Sequence, residues 1–516
     1  MRGITIGFLM LCALANPCRA QLAAEQCVVD AGRDPDKAIQ SCTKAIEAGN
    51  LSDYEFVHSL DSRGWAYYRT GEYDKALQDF NQAIHLKPDY AYAFNNRGLV
   101  YYKLGNYDRA IEDFNQAVLL KPDFATAFDN RGLAYESKND IERAFRDFDQ
   151  AAKLRPDDAE TFYLRGKAFA DEGRHESAIK DYNRSLLLRP DDVDALKARS
   201  DAYSLRNDEE HALRDINRAI ELQPNDAGAI FTRSFIYAEM GDHRRAIQDE
   251  DKVLQLRPDD ATTLWFRGMD YYDEGDYDAA ISDFNELIRL EPDVEVDNSS
   301  DVYQRGFAHL YKGDYESAIE DFGEVADLKL PWGFYHRGLA RFFMRDYKGA
   351  VDDLQRSGEG PGSDVWMYLA WAKLGDMPKE QLQAMNPRND AQMKYWPGAV
   401  VQFYLGSMTS ADVLAAAKRA DLTNNNNPCV CDNEGAGTPV VKNRFHYTEG
   451  AAYFYLGEDA LLRGYSDEAR TLFEKSVKLG YKNSIEYHGS VVELAYLAPR
   501  RTNHTHDTHG EVHQPK

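Results

Sequence analysis

An Arg-Gly pair recurs every 34 residues along most of this 516-residue chain. It stands at Arg63-Gly64, Arg97-Gly98, Arg131-Gly132 and Arg165-Gly166. Arg199-Ser200, Arg233-Ser234 and Arg267-Gly268 keep the register. Arg305-Gly306 follows a four-residue insertion, and Arg337-Gly338 comes 32 residues later. A fixed period of this length marks a repeat array, in which each unit buries its apolar face only against its neighbours. With Val57 as position 1, Gly at position 8 allows two helices to approach closely. Position 20 is Ala in all nine units, from Ala76 to Ala350. Position 15 is Gly in six units and Asn139 or Asn207 in two, residues that tolerate the left-handed conformation ending a first helix; Arg345 departs from this. Prolines 88, 122, 156, 190, 224, 258 and 292 stop the second helix. The spacing predicts nine helix–turn–helix units over about residues 57–361.

One unit, residues 58–90, reads HSLDSRGWAYYRTGEYDKALQDFNQAIHLKPDY. It resembles the tetratricopeptide (TPR) repeat closely. The resemblance implies an all-α fold, a right-handed superhelical solenoid of antiparallel helix pairs. Its concave wall is built from the first helix (A) of each pair, with positions 2, 5, 9 and 12 facing the groove. Those positions hold Trp65, Tyr68, Tyr92, Tyr102, Tyr163, Phe231, Phe235, Trp265, Tyr272, Tyr303 and Trp332, with Tyr335, Phe307 and Phe342 in the same row. Polar members are Asp61, Asn95, Asp129, Lys167, Lys197 and Asp201. An apolar row of this size marks an interaction surface, and a peptide segment lying in the groove is the expected cargo.

Position 7, usually apolar in the family, is Arg in nine of nine units, and position 23 on the second helix (B) is Asp in nine of nine. Arg63 with Asp79, Arg97 with Asp113 and Arg131 with Asp147 begin the series. Facing positions on two packed helices predict a ladder of bidentate ion pairs, each charge offsetting the desolvation of the other.

Lys and Arg total 61 against 86 Asp and Glu, a formal charge of −25. That excludes a general nucleic-acid binder, which needs a basic face, and gives no overall attraction to an anionic membrane surface. The N-terminus reads as an address. Arg2, the apolar run Ile4 to Leu14, the breakers Asn16 and Pro17, and Cys18-Arg19-Ala20 have the layout of a secretory signal cut after Ala20. A lipid on Cys18 is the other reading, with Ala15-Asn16-Pro17 a poor lipobox. No later segment approaches 18 consecutive apolar residues, so no membrane span is expected. The expected location is periplasmic or secreted. There an even cysteine count invites pairing, and Cys27 and Cys42 flank a short hairpin within a predicted N-terminal helical cap, residues 21–56. Cys429 and Cys431, in an Asn/Gly/Pro loop, are left to pair, to stay as thiols or to bind metal, with a loop staple favoured.

Beyond the array, residues 362–444 read as an irregular helical region, 445–500 as a terminal TPR unit with a capping helix, and 501–516 as a disordered tail. The words Trp396-Pro397-Gly398, Phe403-Tyr404-Leu405-Gly406, Tyr453-Phe454-Tyr455-Leu456-Gly457, Ile485-Glu486-Tyr487 and Glu493-Leu494-Ala495 resemble NlpI-like periplasmic TPR lipoproteins. That resemblance implies a cell-envelope adaptor holding peptidoglycan hydrolases and a processing protease. The tail carries His504, His506, His509 and His513, whose spacing suits a transition-metal clamp, although a solvated tail is favoured. No phosphate loop, zincin motif or nucleophile elbow is present, and the carboxylates fall on repeat-periodic positions. The expectation is a scaffold without enzymatic activity or cofactor. The alternative is a metal-handling or redox accessory using the tail with Cys429 and Cys431.

Overall fold

A computed structural model of the chain describes residues 16–290, 299–358, 361–375, 398–423, 447–479, 482 and 484–498. Among the described residues the regular structure is α-helical and no strand occurs. The helices fall into two compact units, Met1–Ala229 and Ile230–Lys516.

The first unit opens with a helical hairpin, Asn16–Ala31 and Pro35–Glu47. Asp34 caps the second helix by accepting from the Lys37 amide at 3.1 Å, and Pro35 occupies the first turn, where its missing N–H is not needed. Cys27 and Cys42 are bonded across the hairpin with Cα atoms 4.6 Å apart. Both are fully buried and pack with Ala66 of the first repeat. The first helix runs through Ala20, so a cut there would remove its first turn and keep both cysteines.

The repeats follow as helix pairs, for example Ala91–Lys103 with Tyr107–Leu120 and Ala125–Ser137 with Ile141–Leu154. Helix A ends on a left-handed residue: Gly71 (φ 82°) and Gly105 (φ 73°), and also Asn139 (φ 61°) and Asn207 (φ 56°). Position 8 and position 24 interlock. A Cβ on Gly98 would lie 2.6 Å from Phe114 Cε1, and one on Gly132 2.8 Å from Phe148 Cε1. The ring of helix B thus sits where a side chain of helix A would otherwise be. Where position 8 is Ser the ring is absent: Ser200 is matched by Ile216 and Ser234 by Glu250. Ser200 Oγ instead donates to the Ala212 carbonyl at 2.9 Å.

In the first unit the position-7 arginines are three-helix clamps. Arg131 Nε and Nη2 donate to the two carboxylate oxygens of Asp147 at 2.7 and 2.6 Å. Its Nη1 reaches back to Asn115 Oδ1 at 2.7 Å, on helix B of the preceding repeat. Arg97 does the same with Asp113 and Asn81, and Arg199 with Asp215 and Asn183. Arg63 pairs with Asp79 at 2.7 Å and turns its third donor to Thr43 in the hairpin before the array. The aspartates are buried, Asp147 at 5% exposure, so the guanidinium satisfies charge and hydrogen bonding together. The ladder predicted within each repeat thus also joins neighbouring repeats within this unit.

In the second unit Arg267 clamps Asp283 and Asp251 and Arg305 clamps Asp321 and Asn285, whereas Arg337 holds Asp353, the preceding repeat having Gly323 in place of the Asn or Asp acceptor. Its later helices, Pro361–Lys373, Gly398–Tyr404, Ser410–Thr423, Tyr447–Leu462, Ser466–Leu479 and Ile485–Leu497, lose the 34-residue period. They build one large apolar core around Trp366, Phe454 and Phe473. The last helix packs back against earlier repeats. Gly489 touches Phe454 and Phe343, Tyr315 Oη meets His488 Nε2 at 3.1 Å, and Arg345 donates to Glu493 at 3.2 Å. Arg345 keeps a left-handed backbone (φ 68°) without glycine, and its side chain reaches that helix and stacks under the Tyr496 ring at 3.9 Å. The helix expected as a cap therefore buries a polar face, with Glu486, Ser490 and Glu493 turned inward.

Candidate functional site

Positions 2, 5, 9 and 12 of helix A return to one stripe because they step by three and four residues. In the first unit this stripe is aromatic at its start. Trp65 and Tyr68 stack at 5.1 Å between ring centroids and are half-buried. Tyr102 is half-buried and its hydroxyl hydrogen-bonds with Ser137 Oγ at 3.1 Å. Tyr92 is 42% exposed, with Lys121 Nζ donating to its hydroxyl at 2.6 Å. Tyr163 is half-buried beside Tyr182. These rings offer one face to solvent and keep the other packed, the geometry of pre-organised contact residues.

Asn95 stands apart from the expectation that it lines the groove. It is 4% exposed, its Oδ1 accepts from Asn130 Nδ2 at 2.9 Å, and its own Nδ2 donates to Asn96 Oδ1 at 3.2 Å. It links neighbouring A helices. Two acids of the wall, Asp61 and Asp129, are strongly desolvated, while Lys167 and Asp201 are exposed. Burial raises Asp61 to about 6, opposed by donors from Asn96 at 3.0 Å and Tyr90 at 3.3 Å. Burial raises Asp129 to about 7, against the Thr161 hydroxyl, which donates to it at 2.9 Å. Lys197 is committed to Asp226 at 2.8 Å.

In the second unit Phe231, Phe235 and Trp265 gather around Phe266, with centroids 5.4, 5.9 and 5.0 Å from it. Phe235 is 39% exposed and the other two are half-buried. Tyr272 and Tyr303 differ from the expected groove lining. They are 9% and 4% exposed, Tyr272 edge-on to Tyr277 and Tyr311, and Tyr303 under Trp332 at 4.3 Å. Ring–ring packing along successive A helices absorbs them, so they present little surface to a partner. Trp332 itself stays half-buried.

Sequence reasoning missed one cluster in this unit. Glu250 takes the position-24 site that holds Phe80, Phe114, Phe148 and Phe284 elsewhere, and it is 1% exposed. Asp270, 4% exposed, accepts from or pairs with His243 Nδ1 at 2.7 Å. Burial and the neighbouring Asp270 push the Glu250 carboxyl far above the usual range, while the bond to Asp270 raises His243. The signal was a Ser at position 8 joined to a non-aromatic residue at position 24.

Among the described residues no group of three or more His, Cys, Asp or Glu is arranged to hold a metal ion. No described helix is long and apolar enough to cross a membrane. Residues 1–15, Cys429, Cys431 and the histidines at 504, 506, 509 and 513 lie outside the described residues.

The tetratricopeptide repeat family matches at residues 91–124, 130–192, 163–227 and 261–294, with further TPR repeat matches at 64–105 and 450–475. The chain carries TPR repeats at these segments. Solved structures similar to it are TPR proteins of smaller size. A tetratricopeptide repeat protein from Parabacteroides merdae is 18% identical over 49% of this chain and 98% of its own, with a TM-score of 0.38. PilW, described as a type IV pilus biogenesis factor, is 22% identical over 39% of this chain and 94% of its own, at 0.38. YrrB, described as a TPR protein with an unusual peptide-binding site, is 22% identical over 36% of this chain and 95% of its own, at 0.32. The matched segments include Gly64, Gly98, Gly132 and Gly268, position-8 glycines that accept a helix-B ring.

Proposed function

We propose that this chain is a non-catalytic adaptor of the cell envelope that holds peptide segments of other proteins on the inward faces of its A helices. The observation that carries this reading is the half-buried aromatic row Trp65, Tyr68, Tyr102 and Tyr163, held on helices that the arginine clamps make rigid. Rings already fixed in place lose little side-chain freedom on binding, so an extended or helical segment gains from each contact at low entropic cost. The signal-like N-terminus supports an exported location, and the C-terminal words point to the class of envelope adaptors that gather hydrolases and proteases. Every family match is to a TPR repeat, in keeping with a non-catalytic role.

A pull-down from envelope extract tests this. Wild type and Trp65→Ala/Tyr68→Ala/Tyr102→Ala are compared after circular dichroism shows both to be folded. Capture of discrete partners by wild type, reduced at least tenfold in the variant, is the expected result. Equal capture by both moves the binding surface off the aromatic row.

A further inference from the structure

The last helix, Ile485–Leu497, buries the face that an ordinary amphipathic helix exposes. Glu486, His488, Ser490 and Glu493 are turned inward, while Val491 and Tyr496 are 42% and 63% exposed. Its closest approach is made by Gly489, which has no side chain, against Phe343 and Phe454. The docked face therefore contributes little apolar area and holds on by single polar contacts. Tyr455 Oη donates to Glu486 at 2.9 Å, Tyr315 Oη and His488 Nε2 share a hydrogen bond at 3.1 Å, and Arg345 donates to Glu493 at 3.2 Å. Ser490 Oγ is buried with no hydrogen-bond partner, which costs free energy in the docked position. On the receiving side Arg345 keeps its left-handed backbone (φ 68°) while its side chain reaches Glu493 and the Tyr496 ring. A helix attached through polar pairs, an orphaned hydroxyl and a strained turn can leave its seat without unfolding the repeats beneath it.

His488 sits in the middle of this attachment. Its ring is edge-on to Tyr311, Tyr315 and Phe343, with centroids 5.4, 6.0 and 5.2 Å away. Tyr311 from Ser299–Lys312 and Tyr315 from Tyr315–Asp327 are the ionisable groups that face it there. Arg345, just after Pro331–Phe343, brings a cation close enough to act on the Tyr315 hydroxyl. The carboxylates of the seat are engaged: Glu493 with Arg345, Glu486 with Tyr455, and Glu458 on Tyr447–Leu462 with Lys373 at 2.8 Å. Arg470 on Ser466–Leu479 meets the Leu497 carbonyl at the far end. A proton on His488 thus adds charge among rings and beside an arginine, where water is excluded. We propose that Ile485–Leu497 is a strap released by acid, and that its departure uncovers the aromatic edge formed by Tyr311, Tyr315 and Phe343. This device is independent of the groove reading above. Burial holds His488 down at about 4. A histidine lowered by docking contributes fully above its ordinary value, near 6.5, and loses that contribution as pH falls toward the lowered one. Glu458, raised by burial, acts in the opposite sense, so the two are separated by substitution.

Hydrogen exchange of the full chain, read by mass spectrometry at pH 7 and pH 5, tests this. Protection factors are compared, so that the intrinsic pH dependence of exchange divides out. Opening of the strap should rise by up to about tenfold per pH unit below 6.5. Residues 485–497 of the wild type are expected to lose protection at least tenfold at pH 5, while the helices at 331–343 and 447–462 keep theirs. His488→Gln, which keeps a polar group and cannot titrate, should change less than twofold over the same range. Unchanged protection of 485–497 in the wild type overturns the proposal. So does a parallel loss at 331–343 and 447–462, which would mark unfolding of the seat as well as the strap. Both of these results are read on the wild type and need no variant. An equal loss in a folded His488→Gln also overturns it, since the proton would then bind elsewhere.

Discussion

Replacing Arg131 by Met is expected to lower the free energy of unfolding by about 3–5 kcal/mol, the cost of breaking a buried ion pair from one side. Asp147 would be left at 5% exposure without either of its guanidinium donors, and Asn115 on the preceding repeat would lose its bond as well. Because a solenoid is stabilised by neighbour terms, the loss should appear as an early transition rather than a uniform shift. Urea unfolding followed by circular dichroism measures it. The double variant Arg131→Met/Asp147→Leu should recover much of the loss, since an apolar pair of similar volume carries no desolvation penalty. An unchanged midpoint for Arg131→Met would refute the clamp.

The second large effect is expected at Glu250. Its Oε2 and Asp270 Oδ2 are buried without hydrogen-bond partners. A carboxyl whose pKa is raised by folding contributes fully below its unfolded value, near 4.3, and that contribution is lost as pH rises toward the folded value. His243, raised by its bond to Asp270, acts in the same direction: its contribution is present below about 6.5 and is lost as pH climbs through the raised value. Stability at this site should therefore fall with rising pH, by up to about 1.4 kcal/mol per pH unit for each proton involved. Urea midpoints at pH 5 and pH 8 should differ less in Glu250→Gln than in wild type. The triple variant Ser234→Gly/Glu250→Phe/Asp270→Ala rebuilds the interlock of the other repeats and should gain about 1–4 kcal/mol at pH 8. Equal pH dependence in wild type and Glu250→Gln would show that the cluster is not strained.

Most of the array is legible in its period. Glycine and asparagine at position 15, proline at position 32 and the Arg–Asp spacing of 16 each have one local physical cause, and one repeat suffices to read them. What crosses between repeats is not legible in that way. The bond from Arg97 to Asn81 depends on how two B helices lie beside one A helix, and no residue pattern within a single unit shows it. The aromatic row is readable as a stripe, but burial depends on the neighbour: Tyr92 stays exposed while Tyr303 disappears under Trp332. Glu250 is visible as a departure at position 24, since an acid in place of a ring is conspicuous once the repeats are aligned. The C-terminal helices have no period to align. The return of Ile485–Leu497 onto Phe343 and Arg345 spans more than a hundred residues of chain, beyond any local signal.

The central claim is that partners lie on the inward face of the A helices. Site-specific photo-crosslinking tests it most directly, with p-benzoylphenylalanine placed at Tyr102 on that face or at Leu119 on helix B, which is 70% exposed. The account predicts crosslinks to envelope proteins from position 102 and none above background from position 119. Crosslinks from position 119 alone, or equally from both, would contradict it.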